Sequence, residues 1–407
     1  MTTVDATWTR PRLRAGIVLG PGQWRGEKLV HHVKDPETGC YYRIGPREHF
    51  LLSRMDGIRT LDDLAGDYAA TFGRRLGPES WQQLFGMLHQ RQLLDGATDP
   101  EIIARLTATA AENAARSRRG LLSARFPLFD PDRLFTRLLP RLAPLFSWWF
   151  VLPALLVVLA IAGYVAVHLR ELLEPVAGGD RPVPAILAGV VITWAIIFLH
   201  ECAHGLTCRH FGGQVPEIGV MWRFPMLAPY CKVDDIVLFT PRRRVATAFA
   251  GVFVSMLALV PFVAMWVWGP RGALHDLAGT MLIFGTAAAA INLVPFLRLD
   301  GYYMLSHALN LADLRADTYR FYGRLLRQGP GAVRDYRPRD RVAYALYGLA
   351  SAAFAATVLT LLVRYWYLSL AGWVGSGWAV AILVAEAVVL GALAAHFARR
   401  HPRNSPT

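Results

Sequence analysis

Cysteine is scarce in this 407-residue chain. The four present, Cys40, Cys202, Cys208 and Cys231, include no CxxC pair. That pattern excludes a disulfide framework and points to a reduced environment. A leading apolar segment is lacking too. The N-terminus is polar, with Trp8, Arg10, Pro11 and Arg12 ahead of any apolar run, so no cleavable signal peptide is expected. Acidic residues are outnumbered, 30 against 43 basic ones, and the net charge of +13 rests mostly on arginine. What is abundant is hydrophobicity, at 54% of residues with a positive mean hydropathy. The chain is too apolar for an ordinary soluble enzyme of this size. Its basic residues gather in loops between apolar runs, as cytoplasmic arginines do in membrane proteins. The lipid bilayer is therefore an expected partner, and nucleic acid is not.

Six apolar runs are long enough to cross a bilayer: about 143–167, 183–206, 245–268, 277–297, 342–363 and 376–397. Arg118, Arg119, Arg125, Arg133, Arg137 and Arg141 precede the first. Arg209, Arg223, Lys232 and Arg242 to Arg244 follow the second, and Arg315 through Arg341 follow the fourth. The tail carries Arg399, Arg400 and Arg403. The alternate loops hold only Arg170 and Arg181, Arg271, and Arg364. This alternation predicts both termini on the cytoplasmic side of the membrane. Glu386 interrupts the last run and is left unassigned.

Residues 1–100 read as a soluble module. Lys28 to Val33 and Tyr41 to Ile44 look like strands around the turn Asp35-Pro36-Glu37-Thr38-Gly39. Helices are expected from Pro46 to Met55, from Thr60 onward, and from Pro78 to Leu94. Residues 101–142 form a linker, with an Ala-rich stretch to Arg119. Its part from Leu121 to Arg141 reads either as an interfacial segment or as a plain connector. The rest, 143–407, is the membrane domain. The expected fold is an α-helical polytopic membrane protein with a small winged-helix-like α+β domain at its N-terminus.

Inside the second run stands His200-Glu201-Cys202-Ala203-His204. A helix turns about 100° per residue, so His200 and His204 share a face and can bind one metal ion, with Glu201 beside them. Ionisable groups at membrane depth are costly and are functional suspects by default. A catalytic zinc takes a third protein ligand and keeps one position open. His210 matches the histidine spacing of metzincin peptidases, but Thr207 stands where that pattern needs a glycine. On a continuous helix His210 points away from the pair. Asp300, after Asn292-Leu293-Val294-Pro295 near the end of the fourth run, lies at similar depth, and Pro295 and Gly301 would open the helix there. Asn292 is a candidate donor to developing negative charge, or else an interhelical hydrogen bond. Asp234 and Asp235 read as solvated loop acids, while Tyr302 and Tyr303 read as groove-lining or interfacial.

These motifs resemble the site-2 protease family of intramembrane zinc metalloproteases. That family carries HExxHG, here His200 to Gly205, and a later NxxPxxxLDG, here Asn292 through Leu299-Asp300-Gly301. The resemblance implies that His200, His204 and Asp300 bind Zn2+ and that Glu201 is the general base. Ala250 to Ser255 is similar to the family's small-residue motif on a core helix. His210 to Gly219 and Asp300 to Tyr303 resemble the bacterial peptide zinc metalloproteases, linked to export or maturation of ribosomally made peptides. Tyr41 to Gly45 and Met55-Asp56-Gly57 resemble the PqqD-like domain, which adds a leader peptide to a strand edge. The expected function is cleavage of a ribosomally synthesised precursor peptide at or near its leader. The alternatives are regulated proteolysis of a membrane-anchored signalling protein, and a non-proteolytic export or immunity subunit.

Overall fold

Strand and helix signals in the N-terminal module produce the elements they predict, with shifted ends. The computed structural model describes residues 9–96, 98–117, 119–120, 123–177, 183–223 and 226–400. Trp8, Arg118, Leu121, Arg181 and Arg403, used above, lie outside them. Strands β1 (Val18–Leu19), β2 (Gln23–Arg25), β3 (Lys28–Asp35) and β4 (Cys40–Ile44) form one antiparallel sheet in which β3 pairs with the other three. The β3–β4 turn closes because Gly39 takes φ +68° and the Asp35 carboxylate accepts from the Thr38 hydroxyl at 2.7 Å.

Helices α1 (Pro46–Leu52), α2 (Leu61–Phe72) and α3 (Pro78–Gln90) cover this sheet. Their apolar faces bury Leu52, Leu64, Tyr68 and Leu88 against Val33. Thr60 caps α2 reciprocally with Asp63, an arrangement worth about 1 kcal/mol. Helix α3 stops short of Leu94 because Gln92 adopts φ +54° and turns the chain. Helix α4 (Pro100–Ser117) follows.

A second sheet was not foreseen. It contains β5 (Arg119–Gly120), β6 (Ser123–Phe129), β7 (Ile218–Arg223) and β8 (Met226–Cys231), antiparallel in that order. The stretch read as an interfacial segment or connector thus holds a strand whose partner comes far later in the chain. No local pattern announces such a pairing. Helix α5 (Asp132–Leu142) completes the stretch and buries Phe135.

Among the described residues, six helices are long and apolar enough to cross a membrane: Trp148–Val167, Val183–His210, Pro241–Trp268, Ala273–Asn292, Pro338–Val374 and Ser376–Leu393. The first is α6. After α7 (Leu169–Ala177) come α8 (Val183–His210) and then α9 (Pro241–Leu257) with α10 (Val260–Trp268), where Pro261 removes a backbone donor at the break. Next are α11 (Ala273–Asn292), α12 (Asp300–Ala308), α13 (Leu314–Gln328), α14 (Pro338–Val374) and α15 (Ser376–Arg400). This is the architecture of a polytopic helical membrane protein with a small α/β region.

The described residues fall into two compact units, Met1–Asp317 and Thr318–Thr407. In the second, Gly375 at φ +85° separates α14 from α15, and the Trp366 indole N–H donates to Glu386 at 3.0 Å. Glu386 therefore lies inside the last apolar helix, where an acid needs such a donor.

In the first unit, charged groups join the N-terminal module to the loops beyond α8. Lys34 pairs with Asp235 at 2.7 Å, and both are buried. Asp235 is thus not the solvated acid expected; three donors surround its carboxylate, including the Tyr41 hydroxyl at 2.6 Å. Burial, then the Asp235 carboxylate, drives the Tyr41 phenol far above its usual range, so it keeps its proton as a donor. His32, in the same region, is held down at about 4 by burial first and then by the Arg244 charge. The unfolded chain takes that proton near pH 6.5, so this contribution to stability is present above pH 6.5 and lost as the pH falls toward 4. The melting temperature should drop more steeply across that window in the wild type than in His32→Gln, as read by scanning calorimetry in detergent.

Candidate metal centre

Helix α8 is continuous through His210, so His200 and His204 stand one turn apart on one face, their ring centroids 4.7 Å apart. Helix α9 packs against that face with Thr247, Gly251 and Ser255, residues spaced by four that form a stripe of small side chains. The His204 Nδ1 lies 2.7 Å from the Thr247 carbonyl oxygen, and the His200 Nδ1 lies 3.0 Å from the Ser255 hydroxyl. A carbonyl only accepts, so Nδ1 of His204 carries the proton. When that ring is neutral, its Nε2 presents a bare lone pair.

Asp300 meets both Nε2 atoms. Its Oδ2 is 3.0 Å from His200 and its Oδ1 is 3.4 Å from His204. It gets there because α11 ends at Asn292, five residues before the expected 297. Residues 293–299 then turn the chain, and α12 starts at Asp300. Gly301 is required at this bend, since a Cβ there would lie 2.2 Å from the Leu293 carbonyl oxygen.

Three observations show that these residues fit a metal ion. Asp300 Oδ2 is buried and receives no well-aligned hydrogen bond, its neighbour at 3.0 Å being the His200 Nε2. With the His204 ring neutral, a carboxylate oxygen also faces the lone pair of its Nε2, which is repulsive without a cation between them. Finally, Gly251 leaves space at both ring nitrogens, since a Cβ there would lie 2.5 Å from each Nε2. Ligands at ~2.0–2.1 Å around a tetrahedral ion are separated by about 3.3 Å, between the two distances seen. A shared proton needs no such space.

Glu201 is the other carboxylate nearby, and its oxygen lies within 4.8 Å of ligand atoms of both histidines. Asp300 is closer, and Glu201 Oε2 already accepts from the Cys231 N–H at 2.9 Å. Geometry therefore favours Asp300 as the third donor and leaves Glu201 beside the group. Gly205 explains how Cys231 comes so near, because a Cβ there would meet Phe135 at 2.6 Å and the Cys231 sulfur at 2.8 Å. Strand β8 and helix α5 can both approach α8 at this point.

His210 is not brought to the group; its ring stacks on Phe146 at 4.1 Å. Asn292 ends α11, half-buried, and its side-chain amide makes no hydrogen bond among the described residues. Tyr302 is buried and donates to Asp313 at 3.2 Å, so it lines no groove, whereas Tyr303 is exposed. Sequence reading missed the Thr247 carbonyl and the Cys231 N–H, since backbone groups carry no residue signature. The spacing of Thr247, Gly251 and Ser255 was the available signal, a small-xxx-small pattern on an apolar helix.

No family model, curated protein or solved structure matches this chain. The centre is accordingly understood from its own residues. Gly251→Ala should abolish metal retention, because its methyl group occupies the space between the ring nitrogens. Ser255→Ala, which removes one ring partner, should weaken binding about 10-fold. Metal content after purification and chelator competition read both effects, with circular dichroism reporting that the helices remain.

Proposed function

We propose that this chain is a membrane-embedded zinc endopeptidase of the site-2 protease type, which cleaves a ribosomally synthesised precursor peptide at or near its leader. The observation that carries this reading is the convergence of His200, His204 and Asp300 on a space kept clear by Gly251, with Glu201 alongside. Two imidazoles and one carboxylate are a catalytic zinc donor set, with a position left open for chemistry.

His200, His204 and Asp300 would hold the zinc, which when bound would supply Lewis acidity for a peptide carbonyl and for water near neutral pH. The protein's own residues do the rest. Glu201 takes the proton from the attacking water and returns it to the leaving amine. The Cys231 N–H holds one carboxylate oxygen of Glu201, which fixes its orientation and leaves the other free. Asn292 lies one residue before Leu293, whose carbonyl packs on Gly301, and its unpartnered amide is a candidate donor to the oxyanion. Thr247 and Ser255 hold the rings of His204 and His200.

The N-terminal module recruits the peptide in this reading, in the manner of the PqqD-like domain it resembles. The arginine-rich loops support a bacterial inner membrane, with both termini and the module on the cytoplasmic side. The test is cleavage of a co-encoded precursor in proteoliposomes. Wild type should cleave, and Glu201→Gln should be slower by 10²-fold or more, roughly the contribution of a general base. Equal cleavage by both would remove Glu201 from the mechanism.

A further inference from the structure

The metal-binding side chains come from two separate pieces of backbone, α8 for His200 and His204 and α12 for Asp300. The internal geometry of either helix does not set the distance between them. On both sides of the group, the N-terminal module holds the connecting segments.

On the α8 side, Lys34 of β3 is 6% exposed and donates to Asp235 at 2.7 Å and to Gln214 at 2.8 Å. Gln214 follows the end of α8, and Asp235 belongs to the short turn that leads into α9. The Gln214 N–H also donates to Asp235 at 2.7 Å, which closes the lock. On the α12 side, Trp24 of β2 pairs with the segment around Leu311. Its N–H donates to the Asn310 carbonyl at 3.0 Å, and its carbonyl accepts from Ala312 at 2.7 Å. The Asn310 amide donates to the Gly22 carbonyl at 3.0 Å. Asn310 turns the chain at φ +57° just past the nine-residue α12, whose first residue is Asp300. At ~1.5 Å per residue the clamp is about 15 Å from the carboxylate, along one rigid helix. Arg244, 1% exposed, joins the two sides by donating to the Ile236 and Val237 carbonyls and to Asn310 Oδ1.

From these contacts we infer that the β2–β3 hairpin is a positioning element of the metal centre, in addition to any recruiting role of the module. Lys34, Asp235 and Asn310 hold α12 in register with α8 and α9, and this keeps Asp300 opposite His200 and His204. Buried charge pairs and strand pairing suit this task because both are directional and tolerate little displacement. A peptide that shifts the hairpin then changes the metal site, so occupancy of the module and the activity of the centre are coupled. The inference rests on the reading of His200, His204 and Asp300 as a metal site.

The experiment uses the full chain in detergent or nanodiscs, with Zn2+ alone as the probe. Zinc affinity is measured by chelator competition for wild type, Lys34→Met and Asn310→Gly, and hydrogen exchange is followed over residues 300–308 and 61–72. Both variants should bind zinc about 10–100-fold more weakly, the usual cost of losing outer support for a metal site. Exchange should quicken in 300–308 and stay unchanged in 61–72. Should Lys34→Met fail to fold, Asn310→Gly decides, because glycine accepts φ +57° and only the amide is lost. Unchanged zinc affinity in the folded variants, even with a lower melting temperature, overturns the positioning role alone. Failure of the wild type to bind zinc overturns the metal reading beneath it as well.

Discussion

A carboxylate that faces two ring nitrogens at 3.0 and 3.4 Å, one of them a bare acceptor whenever its ring is neutral, needs a positive charge between them, carried by a metal ion or by a ring proton. Away from bulk water, the repulsion between such acceptors is poorly screened, and an unfilled buried acceptor costs about 1–3 kcal/mol. The rest of the first unit is arranged around that constraint. Helix α9 offers a glycine where any side chain would fill the space, α11 ends early so that α12 can begin at Asp300, and Gly205 admits β8 to the flank of α8.

The donors are held from outside their own set. The Thr247 carbonyl selects the tautomer of His204, Ser255 orients His200, and the Cys231 N–H orients Glu201. Such outer partners fix ring and carboxylate directions before any ligand arrives, which lowers the reorganisation needed at binding. Small residues in an apolar helix serve two purposes here. They let α9 come close to α8, and they leave room for an ion.

Much of this was legible in the residues. The six apolar helices follow from hydropathy, and the two histidines on one turn follow from their spacing. The Thr60 cap follows from Thr60-Leu61-Asp62-Asp63. The second sheet was not legible, because Ser123–Phe129 meets its partner only after two long helices have intervened. Asp235 read as a surface acid because nothing near it in sequence shows that Lys34 and Tyr41 will cover it. The early end of α11 was only half visible. Pro295 signalled a break, but where the helix stopped depended on Leu293 packing against Gly301.

By itself the sequence determined the local facts. His200, Glu201 and His204 lie on one turn of an apolar helix, Gly and Pro stand where helices stop, and the arginines gather in alternate loops. Each follows from backbone geometry or solvation acting over a few residues. Only the tertiary structure decided how closely Asp300 faces the pair, that a carbonyl and a hydroxyl of α9 hold the rings, and that Lys34 reaches Asp235. Those depend on distances between segments remote along the chain, and such distances are set by packing and hydrogen bonding, not by spacing in sequence.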